Sequence, residues 1–362
     1  MRGQWGEKLQ LSIFGESHGP AVGIVMDGLP AGIAIDTEVI AAEMARRAPG
    51  RDPTATPRRE SDAVRIVSGL HRGTTTGAPL CGLIENQNTR SQDYEAILST
   101  MRPGHADYTG WVKYRGYNDP RGGGHFSGRL TAPLVFAGAV ARQMLALMGI
   151  TIGAHIQSIH TVRDALLDDA RVSAGVLEAL HAQRFPLLNP AMESAMRDVV
   201  EAARTAGDSV GGVVACAAVG VPAGWGEPFF GSVESVLSGL LFSIPAVKGV
   251  SFGAGFGLTT MLGSEANDPF YYEQAEVRTR TNHHGGVLGG ITSGMPVVVR
   301  AGIKPTPSIA QAQQTVDVRK QQEVPLSVGG RHDPCIVPRA VPVVEATVAL
   351  GLLSLYLEVA GR

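Results

Sequence analysis

The chain of 362 residues is 44% hydrophobic and 18% charged, enough apolar material for a large core, and this excludes an intrinsically disordered polypeptide. With 31 basic residues against 33 acidic ones the net charge is −2, so bulk attraction to nucleic acid or to an anionic membrane is not expected. Only five of the basic residues are lysine and the other 26 are arginine, whose planar fork grips carboxylate or phosphate with two bonds.

In chain order, residues 23–27 read as a short strand closing at a Gly-Leu-Pro turn. Asp36 or Thr37 caps a helix over 37–47 that Pro49-Gly50 stops. Residues 63–69 and 78–84 read as two strands with hairpin character. A long, apolar, buried helix is expected over 131–148, ending at Gly149, then a strand near 153–160. An amphipathic helix over 191–206 precedes a strand over 210–221, and 232–242 is helical. Residues 287–290 and 296–301 read as a second strand pair, and 338–360 as the final helix. Paired strands come consecutively and helices in runs, so the pattern favours an α+β fold with antiparallel sheets over strict βαβ alternation. The stretch 52–60 is the most linker-like, but strand-like sequence resumes at once, so residues 1–362 are read as one integrated domain.

Cys81, Cys216 and Cys335 lie far apart in no metal-binding spacing, and their odd number argues against a secreted disulfide framework. The N-terminus lacks an apolar signal core, and no run reaches the roughly 20 apolar residues of a spanning helix. A soluble cytoplasmic protein is the expectation, with the apolar run 346–357 read as a buried helix.

Chemistry concentrates in five Gly-rich segments that mix His, Arg or Lys: 15–19, 46–59, 102–129, 282–294 with 304–308, and 329–334. Glycines let the backbone approach a ligand and present N–H groups to anions. His18 is either a loop imidazole bound to backbone or a proton carrier. Arg102 and Asp107 flank His105 and can bind an anion and orient its ring, although a Pro-Gly turn accounts for the same residues. The His-x-Asp pair is too thin for a metal site, and no metal is expected. Arg121, three glycines, His125, Ser127 and Arg129 lead into the 131–148 helix, an arrangement that favours phosphate or carboxylate at a helix start. The pattern is neither a Walker loop nor a convincing dinucleotide fingerprint. Arg46, Arg47, Arg51, Arg58 and Arg59 form either a solvated basic face or an anion site, and Arg331 with Asp333 reads as a local ion pair or as part of that site.

The ordered set of segments resembles the chorismate synthase family: 15–33, RRAPG (46–50), RSQDY (90–94), RPGHADYTG (102–110), RGGGHFSGR (121–129), FSIPAVKGV (242–250), NHHGGVLGGITSGMP (282–296), KPTPS (304–308) and 330–346. The resemblance implies a layer of helices sandwiched between antiparallel β-sheets, and a homotetramer. It implies the last step of the shikimate pathway, a 1,4-anti elimination of phosphate from 5-enolpyruvylshikimate 3-phosphate giving chorismate. No net redox change occurs, yet reduced FMN is required and is thought to lend electron density transiently. By resemblance, His18 protonates the departing phosphate, His105 lies near flavin N1, and Asp333 lies near N5 and assists removal of the ring proton. Flavin contacts map onto His125, Phe126, Ser127, Ala246, Gly289, Lys304, Pro305, Thr306, Pro307, Ser308 and Arg331. Arg47, Arg51 and Arg129 are matched to the anions of the substrate or of NADPH, a possible reductant; an external flavin reductase is the alternative source of electrons. Where many members carry Arg, this chain has His125, whose charge varies with pH, so flavin affinity is expected to be pH-sensitive. An ordinary flavin oxidoreductase and a non-enzymatic RNA-binding protein are the rival readings; the near-zero net charge and the few aromatics count against the second.

Overall fold

The computed structural model describes residues 3–50, 62–87, 99–329 and 333–361, so the linker-like stretch 52–60, Arg51, the 90–94 motif and Arg331 lie outside the described residues. One antiparallel sheet orders its strands Gln4–Trp5, Gln10–Gly15, Ala21–Asp27, Leu80–Glu85 and Val64–Ser68. A second orders Val247–Phe252, Val297–Ile303, Gly212–Val219, Thr151–Ile159 and Val162–Arg163, also antiparallel. The helix Thr131–Ala146 packs on the first sheet, the helix Val337–Ala360 packs on the second, and the two helices pack on each other. Helices therefore form a layer between the sheets.

Strand periodicity explains why both sheets face inward. Val22, Ile24 and Met26, two residues apart, all point into the core. In the facing strand Gly82 makes room for Phe136 of the Thr131–Ala146 helix, since a Cβ there would stand 2.4 Å from the ring. Val214, Cys216 and Ala218 face the helix layer, whereas Ala215, Ala217 and Val298 turn outward against Leu177 and Leu180 of the outer helix Ala174–His181. The layer helices are apolar nearly all round because both of their sides are covered. Among the described residues one helix, Val337–Ala360, is long and apolar enough to cross a membrane, and 89% of its most apolar window is buried inside the fold.

The helix Thr37–Arg47 begins where expected: Asp36 accepts the Glu38 N–H at 2.8 Å. The second expected strand pair is corrected. Val287–Leu288 pairs with Ile291–Thr292 across a tight turn, and Val297–Ile303 instead enters the second sheet beside Gly212–Val219. The runs 287–290 and 296–301 read as partners because only five residues part them, but the first strand is two residues long and is exhausted by its own hairpin.

A charged knot ties the layers. Glu345, fully buried on the last helix, accepts from Arg46 at 2.5 Å and from the Ala154 N–H at 2.9 Å. Glu43, one turn before Arg47, accepts from Arg46 at 3.0 Å, Arg142 at 2.7 Å and His181 at 2.9 Å. Burial by itself raises the Glu345 carboxyl, but Arg46, His181 and Arg142 outweigh it and hold it well below the usual carboxylate range.

Two outcomes follow for stability. Gly138 meets Ala346 at the central helix crossing, where an added Cβ would stand 2.2 Å from the Ala346 Cβ. Gly138→Ala should cost about 1–3 kcal/mol by overpacking, read as a lower urea midpoint at unchanged slope. Glu345→Gln should cost about 3–5 kcal/mol at pH 7 by leaving buried cations short of charge. Because the folded carboxyl sits below its unfolded value of 4.5, its stabilisation is present above that value and is lost as pH falls through and below it. The gap between Glu345→Gln and the parent chain should therefore narrow below pH 4.5 in urea titrations.

Candidate active site

A cavity of about 1470 Å3 is lined by both ends of the chain, from Trp5, Leu11 and Ile13 to Ile336, Arg339 and Val343. Pockets for one drug-sized ligand run to roughly 300–1,000 Å3, so this one has room for two ligands.

One wall is a pair of loops locked together. The Ser17 N–H donates to Gly124 O at 3.1 Å, and the Ser17 hydroxyl donates to Gly122 O at 3.0 Å. His125 Nδ1 lies 2.8 Å from Gly15 O, and because a carbonyl only accepts, that nitrogen carries the proton. Gly122 and Gly123 sit at φ +59° and +86°, a backbone region that side chains disfavour. They also face two imidazoles: a Cβ on Gly122 would stand 2.4 Å from the His18 ring, and one on Gly123 would stand 3.0 Å from His105 Nε2. The glycine pair thus sets how closely His18 and His105 flank the same stretch of backbone.

Across from these loops, Lys304 Nζ donates to Gly104 O at 2.9 Å, which joins the 304–308 segment to the His105 loop. Burial and the nearby Lys248 push the Lys304 ammonium below its ordinary value. Arg102 Nη1 reaches the Ser308 hydroxyl at 3.4 Å. Thr306 Oγ1 is buried without a protein partner in a residue that lines the cavity.

The cations deepest in the site share one carboxylate. Asp62 accepts from Arg47 at 2.5 Å through one oxygen and from Arg129 through the other. Arg47 also donates to Thr131 Oγ1 at 3.1 Å and to Gly128 O at 3.2 Å, while Arg129 donates to Asn86 Oδ1 at 2.9 Å. Burial pushes the Arg47 guanidinium down to about 10 despite Asp62, with Arg339 and Arg129 adding repulsion, so it stays charged at neutral pH. Asp333 accepts from Arg339 Nη1 at 2.5 Å.

Of the residues singled out from sequence, His18, Arg47, His105, His125, Phe126, Ser127, Arg129, Ala246, Lys304, Thr306, Pro307, Ser308 and Asp333 line this one cavity. Pro305 belongs to the same segment but is not part of the lining. Gly289 stands apart: it is the turn of the Val287–Leu288 and Ile291–Thr292 hairpin, which folds back on Glu227 and Ser232 through Gly290. Arg51 and Arg331 lie outside the described residues. Sequence reasoning missed Asp62, Asn86, Arg339 and Lys248. Arg339 carried a signal, since it stands one turn into a helix that begins beside Asp333. The described residues include one trio with metal-ligand geometry, Glu43, His181 and Glu345, but Arg46 and Arg142 already neutralise its carboxylates.

Cations held by carboxylates, two imidazoles on one glycine bridge and a large cavity together make a pocket of the class suited to anionic small molecules. The chorismate synthase family model matches residues 9–357. A chorismate synthase of Thermococcus kodakarensis is 49% identical over 344 residues, covering 95% of this chain and 94% of that one. One from Dehalococcoides mccartyi is 44% identical over 358 residues, covering 99% and 97%. A crystal structure of chorismate synthase superposes with a TM-score of 0.79 at 27% identity, covering 99% of this chain and 94% of that one. The chain belongs to the chorismate synthase family. It is a lyase of the shikimate pathway, and its FMN-dependent reaction eliminates phosphate from 5-enolpyruvylshikimate 3-phosphate to give chorismate.

Gly122→Ala should push the His18 ring aside. Turnover should fall at least about 10-fold, and a crystal structure of the variant should show the displaced imidazole.

Proposed function

We propose that the reaction takes place in the cavity that joins His18, His105 and Asp333, with FMN and the phosphorylated substrate bound there together. The observation that carries the reading is the cavity itself, whose walls bring residues from five distant segments around space for two ligands. The residues fit a flavin. Phe126, Pro307, Val328 and Ile336 supply apolar surface for the ring system, Lys304 and Lys248 supply cations for its phosphate, and the unpartnered Thr306 hydroxyl supplies a hydrogen bond. Arg331 completes this set as a proposal from the family likeness, and Arg51 joins the anion-binding arginines on the same ground. When bound, reduced FMN supplies transient electron density to the reacting ring.

The chain's own residues do the rest. Arg47 and Arg129 hold the substrate's anionic groups, and preorganised cations stabilise the charge that develops on the departing phosphate. His18 donates a proton to that phosphate. Asp333, oriented by Arg339, assists removal of the ring proton. His105 holds a proton against the flavin. NADPH or an external flavin reductase provides the electrons that reduce FMN. The enzyme works in the cytoplasm as a homotetramer; the exposed Phe229, Phe230 and Phe256, at 84%, 96% and 86% accessibility, favour association between subunits.

The test is anaerobic. With dithionite-reduced FMN and substrate, chorismate absorbance and phosphate should rise in step while the flavin spectrum is recovered unchanged; net oxidation of the substrate would refute the elimination. His18→Ala should lower turnover at least about 100-fold with flavin affinity retained.

A further inference from the structure

The segment carrying His105 contains a carboxylate, Asp107, that the proposed proton chemistry leaves unused. His105 Nδ1 lies 2.6 Å from Asp107 Oδ1. Arg102 forks onto the same carboxylate, with Nε to Oδ2 at 2.7 Å and Nη2 to Oδ1 at 2.8 Å, and its own backbone N–H adds a bond to Oδ2 at 3.1 Å. Asp107 opens the helix Asp107–Tyr114, where the helix dipole also favours an anion. Burial alone would raise this carboxyl, but the hydrogen bonds from Arg102 and His105 and their charges hold it well below the usual range, so it is an acceptor only. Two acceptors cannot meet at 2.6 Å, and Nδ1 therefore carries the proton. Nε2 is then the basic nitrogen; it lies beside Gly123, on a ring that lines the cavity.

The charges around this ring are finely set. Arg102 Nη2 stands 3.2 Å from His105 Nδ1, a cation that opposes any second positive charge. Lys304 adds another cation at the Gly104 carbonyl beside the ring. Asp107 is the anion in contact with both Arg102 and His105. Without it the imidazole would face Arg102 with no carboxylate between them.

We propose that Asp107 is a positioning residue that makes His105 Nε2 the site of proton uptake, so that the cavity prefers an ionised dihydroflavin over neutral oxidised flavin. This rests on the reading above that FMN lies against His105. Dihydroflavin ionises near neutrality and the oxidised ring does not, so a cationic Nε2–H rewards only the reduced form. A carboxylate with a purely structural role would affect both forms alike.

The experiment measures dissociation constants of oxidised and dithionite-reduced FMN at pH 7.5 for the parent enzyme, Asp107→Asn and Asp107→Glu. In D107N the preference for reduced FMN should fall at least about 10-fold, a drop in the midpoint potential of bound flavin of about 30 mV for two electrons. D107E, which keeps the charge, should stay within about 3-fold of the parent. Equal weakening of both forms in D107N, or a D107E ratio as low as that of D107N, overturns the proposal. Parent enzyme that binds neither form would instead refute the placement of FMN. A second readout needs no variant: 15N NMR of the histidine rings should show His105 as the Nδ1–H tautomer, gaining a proton at Nε2 when reduced FMN binds. An Nε2–H tautomer in the ligand-free enzyme overturns the proposal.

Discussion

A cavity built for anions must hold its cations out of water before the anion arrives, and this requirement organises the structure. A buried guanidinium without a counter-charge costs several kcal/mol, so carboxylates stand behind the arginines. Asp62 bridges Arg47 and Arg129, Asp107 holds Arg102, and Asp333 holds Arg339. Each carboxylate fixes a guanidinium in place and leaves part of its donor set directed elsewhere. Two adjacent residues show the division of labour. Arg46 turns into the helix layer to meet Glu345, and Arg47 turns toward the cavity to meet Asp62. The end of one helix thus braces the fold and builds the site.

The same loops that shape the site are fastened by backbone rather than by side-chain packing. Ser17, Gly122 and Gly124 exchange main-chain and hydroxyl hydrogen bonds, and Asn86 holds Glu16 O at 3.0 Å and Gly19 O at 2.8 Å. Such contacts keep the His18 and His105 imidazoles at a set spacing without a wall of bulky groups between them. Close approach and rigidity, which usually compete, are obtained together.

Much of this was legible in the chain. The Asp36 cap, the apolar run from Thr131 and the inward alternation of Val22, Ile24 and Met26 follow from local rules, and the structure places each as those rules require. The strand Gln10–Gly15 and the helix Asp107–Tyr114 were missed. The first alternates weakly around Ser12, and the second carries Gly110 at its centre with no clear apolar stripe. The false pairing of 287–290 with 296–301 arose because nearness in sequence says nothing of a partner strand far upstream, Gly212–Val219. At the site, the Gly-rich segments announced themselves by composition. Their counter-charges did not: Asp62 follows a run of arginines and looks like ordinary surface sequence, and only the folded chain brings it to Arg129.

The helix Val337–Ala360 is the middle of the molecule and also the last of these elements to be synthesised. The strands of the second sheet leave the ribosome before the helix that covers their inner face. Until that segment emerges, the inner face of the second sheet has no cover, and the nascent chain carries a sticky, half-finished interior. The order of the elements therefore delays closure of this face until the last helix has emerged.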